Sequence, residues 1–365
     1  MKVLAVTTNF GFGPVSKLVT ILEKILSCSQ VSITFCGTGQ SKEYVSNNLK
    51  DKINYIEYDT ETVTANQIHN IMKNYDLLIN VMGFHIQKIA TVDVLQKSVF
   101  IDSLSWMWNE PISNIEHCSV YFIQKGLDSF KTRFSYANSI EVNPIINPKF
   151  SKFEILPHDF ILVNIAGIYM PQNNDNFGIN YLDFWMHTIK SLDKFKMYKV
   201  IFACNSNQKE YFEKIQKSGE ENNFIFKVFT HQGFLQAANK AKIILSTPGI
   251  TFYFESISLG LNVFYLLPSN YSQYLLLEEY VKNGAKGLAF SSFGKQYEIK
   301  QGLEEYEGIR LTRNVFSLIT KEYSNKIKEI LNTELSYKDK AYRTNIFTNG
   351  ADQIYNELVK RNLID

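Results

Sequence analysis

Short apolar runs alternate along this chain with longer stretches in which apolar positions return every three or four residues. The first pattern marks strands buried on both faces, and the second marks helices that cover them. In the first half, residues 3–8, 31–36, 55–58, 77–82, 99–103 and 119–124 read as strands, with helices expected at 15–26, 65–73 and 86–95. In the second half, strands are expected at 160–168, 199–204, 224–229 and 243–246, followed by an apolar strand ending at Pro268. Helices are expected there at 181–192, 208–217, 234–240 and 251–259, and from Gln273 to Asn283, where Gly284 stops the last one. Two more, at 312–332 and 351–361, carry no chemical motif. The alternation predicts an α/β protein with doubly wound parallel sheets.

Residues 141–149 contain two Asn-Pro steps. Proline removes backbone donors and holds the residue before it extended, so this segment reads as a linker. It divides the 365 residues into expected domains of 1–148 and 149–365, each of ordinary size. Composition adds exclusions. With 38 basic residues against 36 acidic ones, the net charge of +2 supplies no broad field for nucleic acid or a membrane surface. Cys28, Cys36, Cys118 and Cys204 form no C-x-x-C pair and have no histidine at ligand spacing, so no zinc site is expected and a reducing compartment fits. Only four apolar residues follow Met1-Lys2, too few for a secretory leader, and no run approaches the roughly 18 residues of a membrane span. The expected location is cytoplasmic.

The richest chemistry lies in residues 229–273. An apolar strand runs through Thr247-Pro248-Gly249 straight into a helix. Such a turn leaves the first helical amides open, with the positive end of the helix dipole behind them, which suits a phosphate. Glu255 follows Thr251 by four residues, placing the two side chains on one face about 6 Å apart. A carboxylate there can accept from both hydroxyls of a ribose while the adjoining diphosphate rests on the helix end. Taken singly, a Pro-Gly turn is common and a helical glutamate is usually solvated.

The ordered series Gly249, Glu255, Gly260, Pro268, Gln273 resembles the donor-nucleotide half of GT-B glycosyltransferases, in particular the branch that adds N-acetylglucosamine to lipid I. That resemblance implies two Rossmann-like domains facing each other across a cleft, with the last helix crossing back onto the first domain. It implies a nucleotide-diphosphate sugar, UDP-linked, as co-substrate, no other cofactor, and a small-molecule acceptor. Gly249, Ile250 and Thr251 would meet the diphosphate, Glu255 the ribose, and Ser269, Asn270 and Gln273 the sugar hydroxyls. Thr230 and His231 fall where the family seats the nucleobase. No Asp-x-Asp motif is present, so metal-independent transfer is expected. The loop after residue 168 departs from the family, which has two adjacent glycines where this chain has Gly167-Ile168.

In the first half, Asn9 and the Gly11-x-Gly13 turn open the first helix without the third glycine of a dinucleotide fingerprint. By the resemblance this loop faces the acceptor, with Asn9, Gly11, Gly13, Ser16 and Lys17 as contacts; capping and a solvated lysine are the plain alternatives. His85 and Asp102 follow expected strands and are the candidate general bases for deprotonating an acceptor, or else a loop histidine and a turn cap. Trp106 and Trp108 could stack on a sugar or base, or form a hydrophobic lid. The segments Gly11–Lys17 and Asp102–Trp106 also resemble cytosylglucuronic acid synthase-like proteins. Hydrolysis or 2-epimerisation of a nucleotide sugar, and plain nucleotide-sugar binding, are the alternatives on the same fold.

Overall fold

The computed structural model of the chain describes residues 1–9, 11–147, 160–168, 177–206, 208–209, 211–212, 223–335 and 348–365. The first-half runs become β1 (Lys2–Thr7), β2 (Ser32–Cys36), β3 (Asn54–Ile56), β4 (Leu77–Val81), β5 (Ser98–Asp102) and β6 (Val120–Gln124). A further strand, β7 (Ser139–Val142), takes in part of the stretch read as a linker, because Glu141 and Val142 pair with Ile123 and Gln124. All neighbours are parallel, in the order β3-β2-β1-β4-β5-β6-β7.

Between the strands run α1 (Gly13–Cys28), α2 (Gly39–Leu49), α3 (Ala65–Met72), α4 (Phe84–Ile89) and α5 (Val92–Leu95). The single helix expected over 86–95 is two, since Ala90 and Thr91 are extended at ψ 144° and 158°. Alternate residues of β1 feed opposite cores. Val3 and Ala5 pack with Val15, Leu18 and Leu22 of α1, while Leu4 and Val6 pack with Ile68 and Met72 of α3 and Ile86 of α4. Burial on both faces is why the strands read as unbroken apolar runs, and each fully buried Leu or Ile contributes about 1.5–3 kcal/mol relative to exposure.

The second sheet is built from β8 (Phe160–Asn164), β9 (Lys199–Ala203), β10 (Phe224–Lys227), β11 (Ile243–Ser246), β12 (Val263–Tyr265) and β13 (Lys286–Gly287), all parallel, in the order β10-β9-β8-β11-β12-β13. β8 ends earlier than expected, where the chain tightens into a 3₁₀ turn at Ala166–Ile168. Its helices are α6 (Phe177–Lys190), α7 (His231–Lys240), α8 (Ile250–Leu259), α9 (Tyr271–Lys282), α10 (Glu305–Glu322) and α11 (Ser324–Glu334). The helix expected over 312–332 is α10 followed by α11, broken at Tyr323, whose φ of −121° and ψ of 22° leave the helical region. The helix expected at 208–217 lies largely outside the described residues, as do the loop from Tyr169 to Asn173 and Asp175.

α12 (Gly350–Lys360) belongs with the first sheet, where Ala351, Ile354 and Leu358 are buried in the core that contains α1. Lys24 of α1 pairs with Asp352 at 2.7 Å, and Gln353 Oε1 accepts from the Asn143 amide at 2.6 Å. Gly350 is required by close approach, because a Cβ there would collide with the Asn143 carbonyl oxygen. The chain thus forms two units, Met1–Pro148 with Ile346–Asp365, and Lys149–Asn345. Among the described residues no helix is long and apolar enough to cross a membrane.

Candidate functional site

In the second unit the strand order reverses between β8 and β11, which are paired neighbours. Loops leave the carboxyl ends of such a pair in opposite directions and open a crevice there. The Thr247 amide donates to the Asn164 carbonyl at 3.0 Å, and Asn164 Nδ2 donates to Ser246 Oγ at 3.0 Å, so the two strand ends are tied together. Gly249 then caps α8 with extended backbone at φ −162° and ψ 130° and no side-chain cap. A Cβ on Gly249, or on Gly167 past β8, would meet no atom within 4 Å. Among the described residues the N-cap of the helix therefore borders open space and supplies no side chain to the amides that follow it. Ile250 is buried, Thr251 is half-buried, and Gly260 ends the helix in the left-handed region at φ 64°.

Glu255 sits on the buried face of α8, and its Oε1 lies 2.8 Å from Nε2 of His231, the first residue of α7. The contact has the distance of an ion pair without the angle of a directed hydrogen bond. Phe234 and Phe252 meet edge to face at 5.0 Å beside it, so α7 and α8 pack side by side at this end. Thr230, expected at a nucleobase, is the N-cap of α7, its Oγ1 accepting from the Gly233 amide at 3.1 Å. The His231 ring is buried against Glu255. The two residues were legible singly in the sequence, and their pairing was not.

Ser269, Asn270 and Gln273 come together, and the side-chain oxygens of Asn270 and Gln273 accept from groups within the set. Asn270 Oδ1 accepts from the Gln273 amide at 3.0 Å, while Gln273 Oε1 accepts from the Ser269 amide at 2.9 Å and hydroxyl at 2.8 Å. This network starts α9, and it uses the acceptors that a sugar hydroxyl would need. The Gln273 amide nitrogen lies outside these bonds.

In the first unit the order reverses between β1 and β4. Gly11 has a φ of 62°, which only glycine adopts without strain, and Gly13 opens α1. Asn9 is spent on structure, its Oδ1 accepting from the Ser41 amide at 3.0 Å. Ser16 and Lys17 turn back onto the Gly13 carbonyl at 3.0 and 3.2 Å, and Lys17 is buried rather than solvated. His85 lies at the start of α4, half-buried, with Nε2 2.8 Å from the Val63 carbonyl. A carbonyl only accepts, so Nε2 carries a proton, and in the neutral ring Nδ1 is the nitrogen that can act as a base.

Asp102 is enclosed and braces the loop that follows it. It is fully buried and accepts from the Leu104 amide at 2.7 Å, the Trp108 indole at 2.7 Å and the Tyr121 hydroxyl at 3.0 Å. Burial pushes its carboxyl up to about 6, against the pull of those three donors and of nearby Lys17. Burial also drives the Tyr121 phenol far above its ordinary range, which keeps it a donor. Both tryptophan rings have aromatic neighbours. Trp106 is buried and stacked on Phe130 at 4.0 Å, and Trp108 meets Phe84 edge-on at 4.9 Å, so neither ring is a bare platform. Among the described residues no group of three His, Cys, Asp or Glu side chains is placed to hold a metal.

Neither a described protein family nor a curated protein matches the sequence. Solved structures match the fold over almost the whole chain. MnaA of S. aureus with UDP superposes with a TM-score of 0.57 at 12% identity, covering 100% of this chain and 97% of that one. A Methanocaldococcus jannaschii UDP-GlcNAc 2-epimerase in complex with UDP-GlcNAc and UDP gives 0.57 at 12% identity, over 99% and 100%. Acinetobacter baumannii MurG gives 0.51 at 12% identity, over 98% and 99%. The chain has the GT-B fold, the α/β architecture shared by UDP-sugar glycosyltransferases and UDP-GlcNAc 2-epimerases.

Proposed function

We propose that this chain binds a nucleoside-diphosphate sugar, UDP-linked, on its second unit and transfers the sugar to a small acceptor. The observation that carries the reading is the start of α8. Its N-cap, Gly249, carries no side-chain cap and among the described residues faces open space at the strand-order reversal, with the Glu255 carboxylate one turn inside the helix. Gly249, Ile250 and Thr251 would take the diphosphate and Glu255 the ribose hydroxyls. Charge building on the departing diphosphate would be met by the helix dipole and its amides. On the first unit, His85 is the candidate general base for the acceptor proton, through Nδ1.

The enclosure of Asp102 and the covered rings of Trp106 and Trp108 leave the acceptor side with fewer free groups than the sequence promised. That favours keeping hydrolysis or 2-epimerisation of the same nucleotide sugar as the second reading. Thermal shift with a panel of nucleotides and nucleotide sugars tests the donor, since a ligand at 100 times its dissociation constant adds about 2.7 kcal/mol. Product analysis then separates the reactions. Free sugar formed without an acceptor means hydrolysis, a C2 epimer means epimerisation, and a product that needs acceptor means transfer. No stabilisation by any nucleotide or nucleotide sugar would remove the reading.

A further inference from the structure

We propose that His231 is a positioning residue that orients the Glu255 carboxylate toward the 2′- and 3′-hydroxyls of a ribose, and so sets the preference of this site for ribonucleotides over 2′-deoxyribonucleotides. The inference rests on the ribose reading of Glu255 and goes beyond it by naming what holds that carboxylate. Glu255 is only 3% exposed, and no directed hydrogen bond reaches its Oε1. A buried carboxylate without such a partner is costly and free to change rotamer. Among the described residues, the His231 imidazole, with Nε2 2.8 Å from Oε1, is the side chain that forms an ion pair with it.

The position of that ring is itself fixed. His231 opens α7, whose first turn is locked by the Thr230 cap on the Gly233 amide and by the packing of Phe234 against Phe252 of α8. The His231 contact engages Oε1 and not Oε2, and a ribose diol offers two O–H donors to a single carboxylate. Losing the 2′-hydroxyl removes one of them. A carboxylate clamped in one rotamer registers that loss, whereas a mobile one rearranges around the remaining hydroxyl.

The test is calorimetric binding of UDP and of 2′-deoxy-UDP to the full chain carrying His231→Leu, His231→Asn, His231→Gln or Glu255→Ala. Glutamine carries a donor to the reach of Nε2, and asparagine falls short of it. The expected result is that His231→Leu and His231→Asn each lose about tenfold in UDP affinity with 2′-deoxy-UDP changed less than about twofold, while His231→Gln keeps the wild-type ratio. Adding either loss variant to Glu255→Ala should cost nothing further, because the two act through one contact. Equal losses for both nucleotides, or an unchanged ratio in the Leu and Asn variants, overturns the proposal. Loss in Glu255→Ala with none in the His231 variants overturns it alone, whereas unchanged UDP binding in Glu255→Ala overturns the ribose reading with it.

Discussion

Trp108 donates its indole N–H to Oδ2 of Asp102 at 2.7 Å, in a bond that ties the loop after β5 back to the end of that strand. Together with the Leu104 and Tyr121 bonds it makes Asp102 the buried hub of this loop. The hub has a pH signature. Its carboxyl titrates near 6 when folded against an ordinary value of 3.8, so the folded state holds the proton more tightly. Stability from this group is therefore fully present below the ordinary value and is lost as pH rises through about 6. Between pH 4 and 7 the wild type should lose about 2–3 kcal/mol relative to Asp102→Asn, measured by urea unfolding at each pH. Parallel profiles for the two proteins would contradict the hub.

Brace and base are separable by kinetics. His85→Ala should depress turnover by about 10²–10⁴ with nucleotide affinity nearly kept. Asp102→Asn should cost less than about tenfold in turnover, since it disturbs a loop and leaves the proposed base, His85, in place. The reverse ranking would return the base to Asp102.

Two glycines should respond in opposite ways. Gly249 is extended and faces open space, so Gly249→Val should cost less than about 1 kcal/mol of stability while lowering nucleotide affinity by about tenfold or more. Gly350 touches the Asn143 carbonyl, so Gly350→Ala should destabilise by about 1–3 kcal/mol and leave nucleotide affinity of the folded protein unchanged. Denaturant melts and calorimetry on the same two variants check both halves. Loss of affinity only in the Gly350 variant would remove the phosphate role of the α8 terminus.

The sheets were legible because parallel strands buried on both faces leave uninterrupted apolar runs, as Val3–Val6 and Ile243–Leu245 do. The start and end of α8 were legible from Gly249 and Gly260, whose conformations follow from local chemistry. α2 was missed, since only Ser41, Tyr44, Val45 and Leu49 of its residues are buried and one of those is polar. Partner choice was not legible at all. Nothing in the spacing of Asp102, Trp108 and Tyr121 announces a shared hydrogen-bond hub, and nothing in the 24 positions separating His231 from Glu255 announces an ion pair. Such pairings are decided by how strands order in the sheet, which periodicity does not carry.

The central claim is that Glu255 and the α8 terminus hold the ribose and diphosphate of a nucleotide, and titration calorimetry of UDP against the wild type and Glu255→Ala addresses it most directly. The expected outcome is saturable binding by the wild type and a loss of about 1–3 kcal/mol in the variant, with matching melting profiles for the two proteins. Equal affinity in both proteins, or no binding of UDP to the wild type, would contradict it.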